Sequence, residues 1–156
     1  MIERVSTEDI LTVSLIDTNI LVYANNEDSP YHNTSKELIE NALNGNIKAA
    51  LAIQNLVELY AIITDKKRVE HPLPPDKAKR LIDFYGSNNH ISIICPTHHT
   101  VNTIIKLIGK YRPLGQSIFD HLLVATMLDN NVNQIYTANS KHFESFGFLK
   151  VMNPLE

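Results

Sequence analysis

The sequence predicts an α/β protein: a three-layer α/β/α sandwich around a central, mainly parallel five-stranded sheet. Three observations carry that expectation. Short apolar runs alternate with helical patterns along the chain, and strands separated by helices pair in parallel with helices packed on both faces. The runs are apolar throughout, as in strands buried on both sides. The 156 residues, 44% hydrophobic and 20% charged, hold no internal repeat or composition shift, which sets aside fibrous, disordered and low-complexity classes.

Val13–Ile16 (VSLI) reads as the first strand, ending at Asp17, with a short helix expected from Asn19. Asp28-Ser29-Pro30 supplies a helix cap and a first-turn proline, so a helix is expected over about 31–44, stopped by Asn44-Gly45. Ile47–Ala52 is a second strand, weakened by its alanines. Ile53, Leu56, Val57, Tyr60 and Ala61 then recur at the spacing of one helical face and are expected to face the core. His71-Pro72-Leu73-Pro74-Pro75 breaks the chain before a helix over Asp76–Tyr85. Ile91–Cys95 is the strongest strand pattern, with Cys95 read as core packing. Thr97 opens a helix reaching Tyr111, and Arg112-Pro113-Leu114-Gly115 ends it. A helix from Ser117 stops at Asn130-Asn131, and Gln134–Thr137 and Leu149–Met152 are short late strands.

Composition narrows function. A single cysteine allows no internal disulfide or cysteine zinc cluster. No apolar run approaches the roughly 20 residues of a membrane span, and the N-terminus lacks the order of a signal peptide, so a cytoplasmic protein is expected. Net charge is −3, yet residues 66–112 carry nine basic residues against three acids, leaving the remainder strongly acidic. Such asymmetry suits a polyanion across one part of the surface, or ordinary solvated helices.

Ligands of open parallel sheets collect beyond the carboxyl ends of the strands, which singles out Asp17, Glu58, Asp120 and Asn139. Each has a simpler reading. Asp17 caps a helix, Ser117 and Asp120 form a capping box, and Glu58 is one more solvated helix residue. Together they are harder to set aside, because Glu58 and Asp120 stand in segments otherwise almost wholly apolar, where acids are costly without a cation or hydrogen bonds. If the three acids converge, a divalent cation relieves their repulsion, and an all-oxygen site selects Mg²⁺ or Mn²⁺. Such an ion activates water against a phosphodiester without a side-chain nucleophile.

With these residues in view, the chain resembles the PIN-domain ribonucleases, especially the toxin components of type II toxin–antitoxin systems, the VapC-like proteins. The carrying segments are LIDTNILVYA at 15–24, QNLVELYA at 54–61, GQSIFDHLLVATML at 115–128 and IYTANSKHF at 135–143. The resemblance implies a PIN-like nuclease domain over residues 13–156, preceded by an extension, residues 1–12, of no assigned role. It implies an acidic triad of Asp17, Glu58 and Asp120 holding Mg²⁺ or Mn²⁺. Asn139 stands where the family often has a fourth acid, and Thr137 matches that motif's threonine. It further implies an RNA substrate, transfer or ribosomal, a cognate antitoxin and a homodimer.

Asn19, Thr137, His121 and the run Lys66, Lys67 and Arg68 are candidate substrate contacts. Seven histidines show no paired ligand spacing; on a helix His98 and His99 would diverge by about 100°, and Tyr23 and Tyr60 are expected to pack. Two alternatives stay open. A phosphohydrolase of the haloacid dehalogenase type needs a second acid two residues after Asp17, where this chain has Asn19. A non-catalytic RNA-binding or scaffold domain is suggested by the neutral Asn139.

Overall fold

A computed structural model describes Glu8 and residues 11–156. Five strands, β1 (Ser14–Ile16), β2 (Ala49–Ala52), β3 (Ile91–Ile94), β4 (Gln134–Tyr136) and β5 (Lys150–Met152), form one sheet in the order β3-β2-β1-β4-β5. Every pairing is parallel. Among the described residues, six α-helices cover it: α1 (Thr18–Ala24), α2 (His32–Leu43), α3 (Ile53–Ile63), α4 (Pro75–Gly86), α5 (Thr100–Tyr111) and α6 (Ile118–Asp129). The expected extension lies mostly outside the described residues; within it, Thr12 N–H donates to the Glu8 carbonyl at 3.1 Å.

Side chains alternate across a strand, and that alternation divides the core. Ile16, Ala49, Leu51, Ile91 and Tyr136 meet Ile20, Ile39, Leu56, Leu59, Ala78 and Tyr85, from α1 to α4. Leu15, Ala50, Ala52, Ile94 and Ile135 meet Leu107 of α5, Leu123, Val124 and Met127 of α6, and Phe143 and Phe146. The alanines do not weaken β2: it is buried along its length and paired on both sides, where small side chains let helices approach both faces.

Boundaries moved where local polar chemistry intervened. Asp28 does not cap α2, which starts at His32. The Asn26 side chain accepts from Asp28 N–H at 3.2 Å and Ser29 Oγ from Tyr31 N–H at 3.1 Å, so the segment closes as turns ahead of the helix. Gly45 ends α2 as expected, at φ +75°, the left-handed conformation glycine adopts without strain. His98 and His99 precede α5 and do not diverge; their rings lie 4.0 Å apart. Cys95 is exposed, past the end of β3, which is an edge strand with Ser92 and Ile93 also exposed.

The largest departure concerns α3. Its buried stripe is Asn55, Leu56, Leu59 and Ile63, whereas Ile53, Val57 and Tyr60, expected inside, are 47%, 63% and 38% exposed. The helix is apolar on two faces, and Asn55 decides which one turns inward. Its Oδ1 accepts from Ala52 N–H at 2.9 Å, anchoring the helix start to the end of β2. Tyr23 packs against Tyr31, with ring centres 5.2 Å apart. No helix among the described residues is long and apolar enough to cross a membrane.

Candidate active site

The strand order places the site. β1 is flanked by β2 on one side and β4 on the other, and a crevice opens where connections leave in opposite directions. Asp17 follows β1 and Thr137 follows β4. Across that crevice Thr137 Oγ1 donates to Asp17 Oδ2 at 2.7 Å, while Asp17 Oδ1 accepts from Thr18 N–H at 2.8 Å. Asp17 therefore does cap α1, and its second oxygen remains in the crevice. It is only 8% exposed. Burial, above all, pushes its pKa up to about 6; the Thr137 and Thr18 hydrogen bonds pull down, and the charges of Glu58 and Asp120 add to the rise.

Glu58 enters from α3, half-buried. Thr18 Oγ1 donates to its Oε2 at 3.0 Å and Gln54 Nε2 to its Oε1 at 2.9 Å. Gln54 Nε2 also reaches the Phe119 carbonyl at 3.0 Å, joining α3 to the start of α6. Asp120 lies in the first turn of α6, its pKa raised chiefly by burial, with Glu58 adding and His142 opposing. Its Oδ2 stands 3.2 Å from His142 Nδ1.

Ser117 does not build a capping box with Asp120. Its hydroxyl both accepts from Leu114 N–H, at 2.9 Å, and donates to the Leu114 carbonyl, at 2.8 Å, closing the turn ahead of α6. Asp120 is thereby left to the cleft.

The three acids line one crevice and act on one another electrostatically, although their ligand atoms do not all lie within 4.8 Å of one another. Among the described residues, the hydrogen bonds to their carboxylates come from backbone, Thr, Asn, Gln and His groups, and none from lysine or arginine. Such a donor set fits a hard divalent cation. Its atoms are all carboxylate oxygens, and a buried carboxylate held uncharged up to about pH 6 lacks a compensating positive charge. Asn139 is exposed at the rim, its backbone N–H donating to Thr137 Oγ1 at 3.0 Å.

Other candidates are placed differently from the sequence reading. Thr137 is fully buried; it holds Asp17 and is out of reach of a substrate. Asn19 stitches the strand ends together, donating to Asp17 Oδ2 and Thr137 Oγ1 at 3.3 Å each and accepting from Ala138 N–H at 3.2 Å. With a neutral amide committed to that role two residues after Asp17, the haloacid dehalogenase alternative is not favoured. His121 is buried, with Nδ1 2.8 Å from the Ser117 carbonyl and its ring against Phe146, so it is a core residue, not a substrate contact. Lys66, Lys67 and Arg68 are exposed in the loop after α3.

Sequence reasoning passed over Gln54, Asn55 and Thr18, and placed His142 close behind Asn139 without pairing it with Asp120. Gln54 and Glu58 stand four apart on one helix, a spacing at which side chains meet, so that pair was open to inspection. A separate exposed trio, Asp28, Glu70 and His71, brings ligand atoms within 4.8 Å of one another in the loops after α1 and α3. Its members are too far apart in sequence for spacing to show it.

A parallel sheet covered on both faces, with three carboxylates gathered at its switch point, is an α/β domain built around an acidic, oxygen-lined cleft. The chain belongs to the PIN-domain family, whose sequence model matches residues 14–149. Among curated proteins it is 30% identical over 141 residues to Ribonuclease VapC24 of Mycobacterium tuberculosis, covering 90% of this chain and 95% of that one. It is 23% identical over 138 residues to Ribonuclease VapC48 of the same organism, covering 88% and 94%. Among solved structures the fold matches VapC20 of Mycobacterium tuberculosis, described as a sarcin–ricin loop cleaving toxin. The TM-score is 0.66 at 14% identity, covering 91% of this chain and 100% of that one. VapBC-1 of nontypeable Haemophilus influenzae matches at TM-score 0.66 and 16% identity, covering 93% and 100%.

Proposed function

We propose that this chain is a divalent-metal-dependent endoribonuclease, the toxin half of a toxin–antitoxin pair acting in the cytoplasm. The observation that carries the reading is the gathering of Asp17, Glu58 and Asp120 at the switch point of a PIN fold. The names of its relatives, ribonucleases and a sarcin–ricin loop cleaving toxin, support RNA as the substrate. Asp17 and Asp120 would hold Mg²⁺ or Mn²⁺, with Glu58 beside them, Asn139 lending a neutral oxygen at the rim. When bound, such an ion supplies Lewis-acid stabilisation of the phosphodiester oxygens and a more acidic water. Asn19 and Thr137 keep Asp17 aimed into the cleft, and Gln54 keeps α3 and α6 at a constant spacing. Lys66, Lys67 and Arg68 would hold the phosphate backbone at a distance from the cut.

Partners follow from the same relatives, several of which are toxin–antitoxin complexes. An antitoxin and a second copy of this chain are proposed here, and the solvent-facing apolar surface of α3 supports a protein partner. Ile53, Val57 and Tyr60 line a groove of about 530 Å³ against Ile82 of α4, and apolar surface of that kind is usual where another protein docks.

The test is cleavage of a labelled structured RNA in Mg²⁺ and in Mn²⁺, wild type beside Asp120→Asn, with EDTA as control. Metal-dependent cutting that disappears in the variant is expected. Equal activity in both proteins, or none in either with partners removed, would overturn the nuclease in favour of a binding domain.

A further inference from the structure

Glu58 is held by a chain of hydrogen bonds whose direction is set by the backbone. Ala52 N–H can only donate, and Asn55 Oδ1 accepts from it at 2.9 Å. That fixes which end of the Asn55 amide faces away: Nδ2 donates to Thr18 Oγ1 at 3.1 Å. A hydroxyl has a single proton, and with its oxygen already accepting from Asn55, Thr18 sends that proton to Glu58 Oε2 at 3.0 Å. Asn55 is fully buried and Thr18 is 4% exposed, so water cannot substitute for either. The other Glu58 oxygen is held by the same logic. Gln54 Nε2 donates both to Glu58 Oε1 and to the Phe119 carbonyl, which only accepts, and Gln54 Oε1 is left buried without a partner. An amide that leaves its own oxygen unsatisfied in order to present its nitrogen twice is committed to that orientation.

We propose that Asn55 and Thr18 are positioning residues: a one-way relay from the end of β2 that locks the Glu58 carboxylate in the rotamer needed beside a divalent cation. The inference rests on the metal-dependent reading above. Groups that orient metal-binding carboxylates commonly contribute 10- to 100-fold in metal affinity or activity. Thr18 also links two acids, since its backbone N–H holds Asp17 while its hydroxyl holds Glu58. One residue thereby sets the spacing of both carboxylates.

The experiment measures Mn²⁺ binding to the whole chain by titration calorimetry and by the electron paramagnetic resonance of the free ion, with RNA cleavage as a second readout. Thr18→Val keeps the shape and removes the hydroxyl; Thr18→Ser keeps the hydroxyl and removes the methyl. Expected is about a 10- to 100-fold loss of Mn²⁺ affinity in Thr18→Val, recovered to within a few-fold in Thr18→Ser, with kcat falling more than KM for RNA rises. Asn55→Asp is an independent arm. Its Oδ1 still takes Ala52 N–H, but its second oxygen now accepts the Thr18 proton and turns the relay away from Glu58, so Mn²⁺ affinity should fall here too. Wild-type affinity in folded Thr18→Val or Asn55→Asp would overturn the proposal. So would equal impairment of Thr18→Ser and Thr18→Val, which would show the methyl group to be what matters. Failure of wild type to bind Mn²⁺ would overturn it as well. Mn²⁺ binding that obeys the relay in a protein that cuts no RNA would instead remove only the nuclease reading.

Discussion

Asp17 makes the metal-free protein sensitive to pH in a direction opposite to that of most carboxylates. Its pKa in the fold is about 6 against an ordinary 3.8, and burial is the leading cause. Two pK units correspond to about 3 kcal/mol. Below about pH 4 both the folded and the unfolded chain carry a protonated Asp17 and the fold bears no penalty. Between pH 4 and 6 the unfolded chain releases its proton first, so stability falls as pH rises, and above pH 6 the full cost is present. Asp17→Asn does not titrate. The measurement is urea or thermal unfolding of both proteins in EDTA from pH 4 to pH 7.5, taking the difference at each pH to cancel every other group. Wild type should lose about 3 kcal/mol relative to the variant across that window, roughly 6–12 °C in Tm for a domain of this size. Mn²⁺ at pH 7.5 should then stabilise wild type, by about 2.7 kcal/mol at a hundredfold excess over its Kd, and the variant much less. A difference that stays flat with pH, or equal stabilisation of both proteins by Mn²⁺, would refute the argument that Asp17 is an undercompensated buried acid awaiting a cation.

Two further outcomes are expected. Neutralising Lys66, Lys67 and Arg68 together should weaken RNA binding and reduce the slope of log K against log salt by about 2, at roughly 0.7 per single-strand phosphate contact; an unchanged slope would detach this loop from the RNA. Val57→Asp, on the solvent face of α3, should leave stability within about 0.5 kcal/mol while weakening capture of a co-expressed antitoxin, as judged by co-purification, and intact capture would place the partner elsewhere.

The alternation of apolar runs with helical patterns determined the architecture, because a strand buried on both faces and a helix that must cover it leave their periods in the chain. The acids of the cleft were legible for a related reason. Asp120 stands in SIFDHLLVATML and Glu58 in QNLVELYA, and an acid in such apolar surroundings is retained only where something offsets its cost. The sequence could not say which face of α3 turns inward. Its pattern allows two apolar stripes, and the choice was made by Asn55 anchoring on Ala52 N–H, a bond that exists only once β2 is seated in the sheet. Nor could it assign His121 and His142. His121 is adjacent to Asp120 in the chain yet its ring lies buried against Phe146, while His142 reaches Asp120 from 22 residues away. Chain neighbours on a helix point in different directions, whereas β1 and β4 become neighbours only through the strand order. Sequence determined which acids are candidates for the chemistry; tertiary structure decided which of their neighbours hold them in place, since hydrogen-bond partners are set by proximity in space.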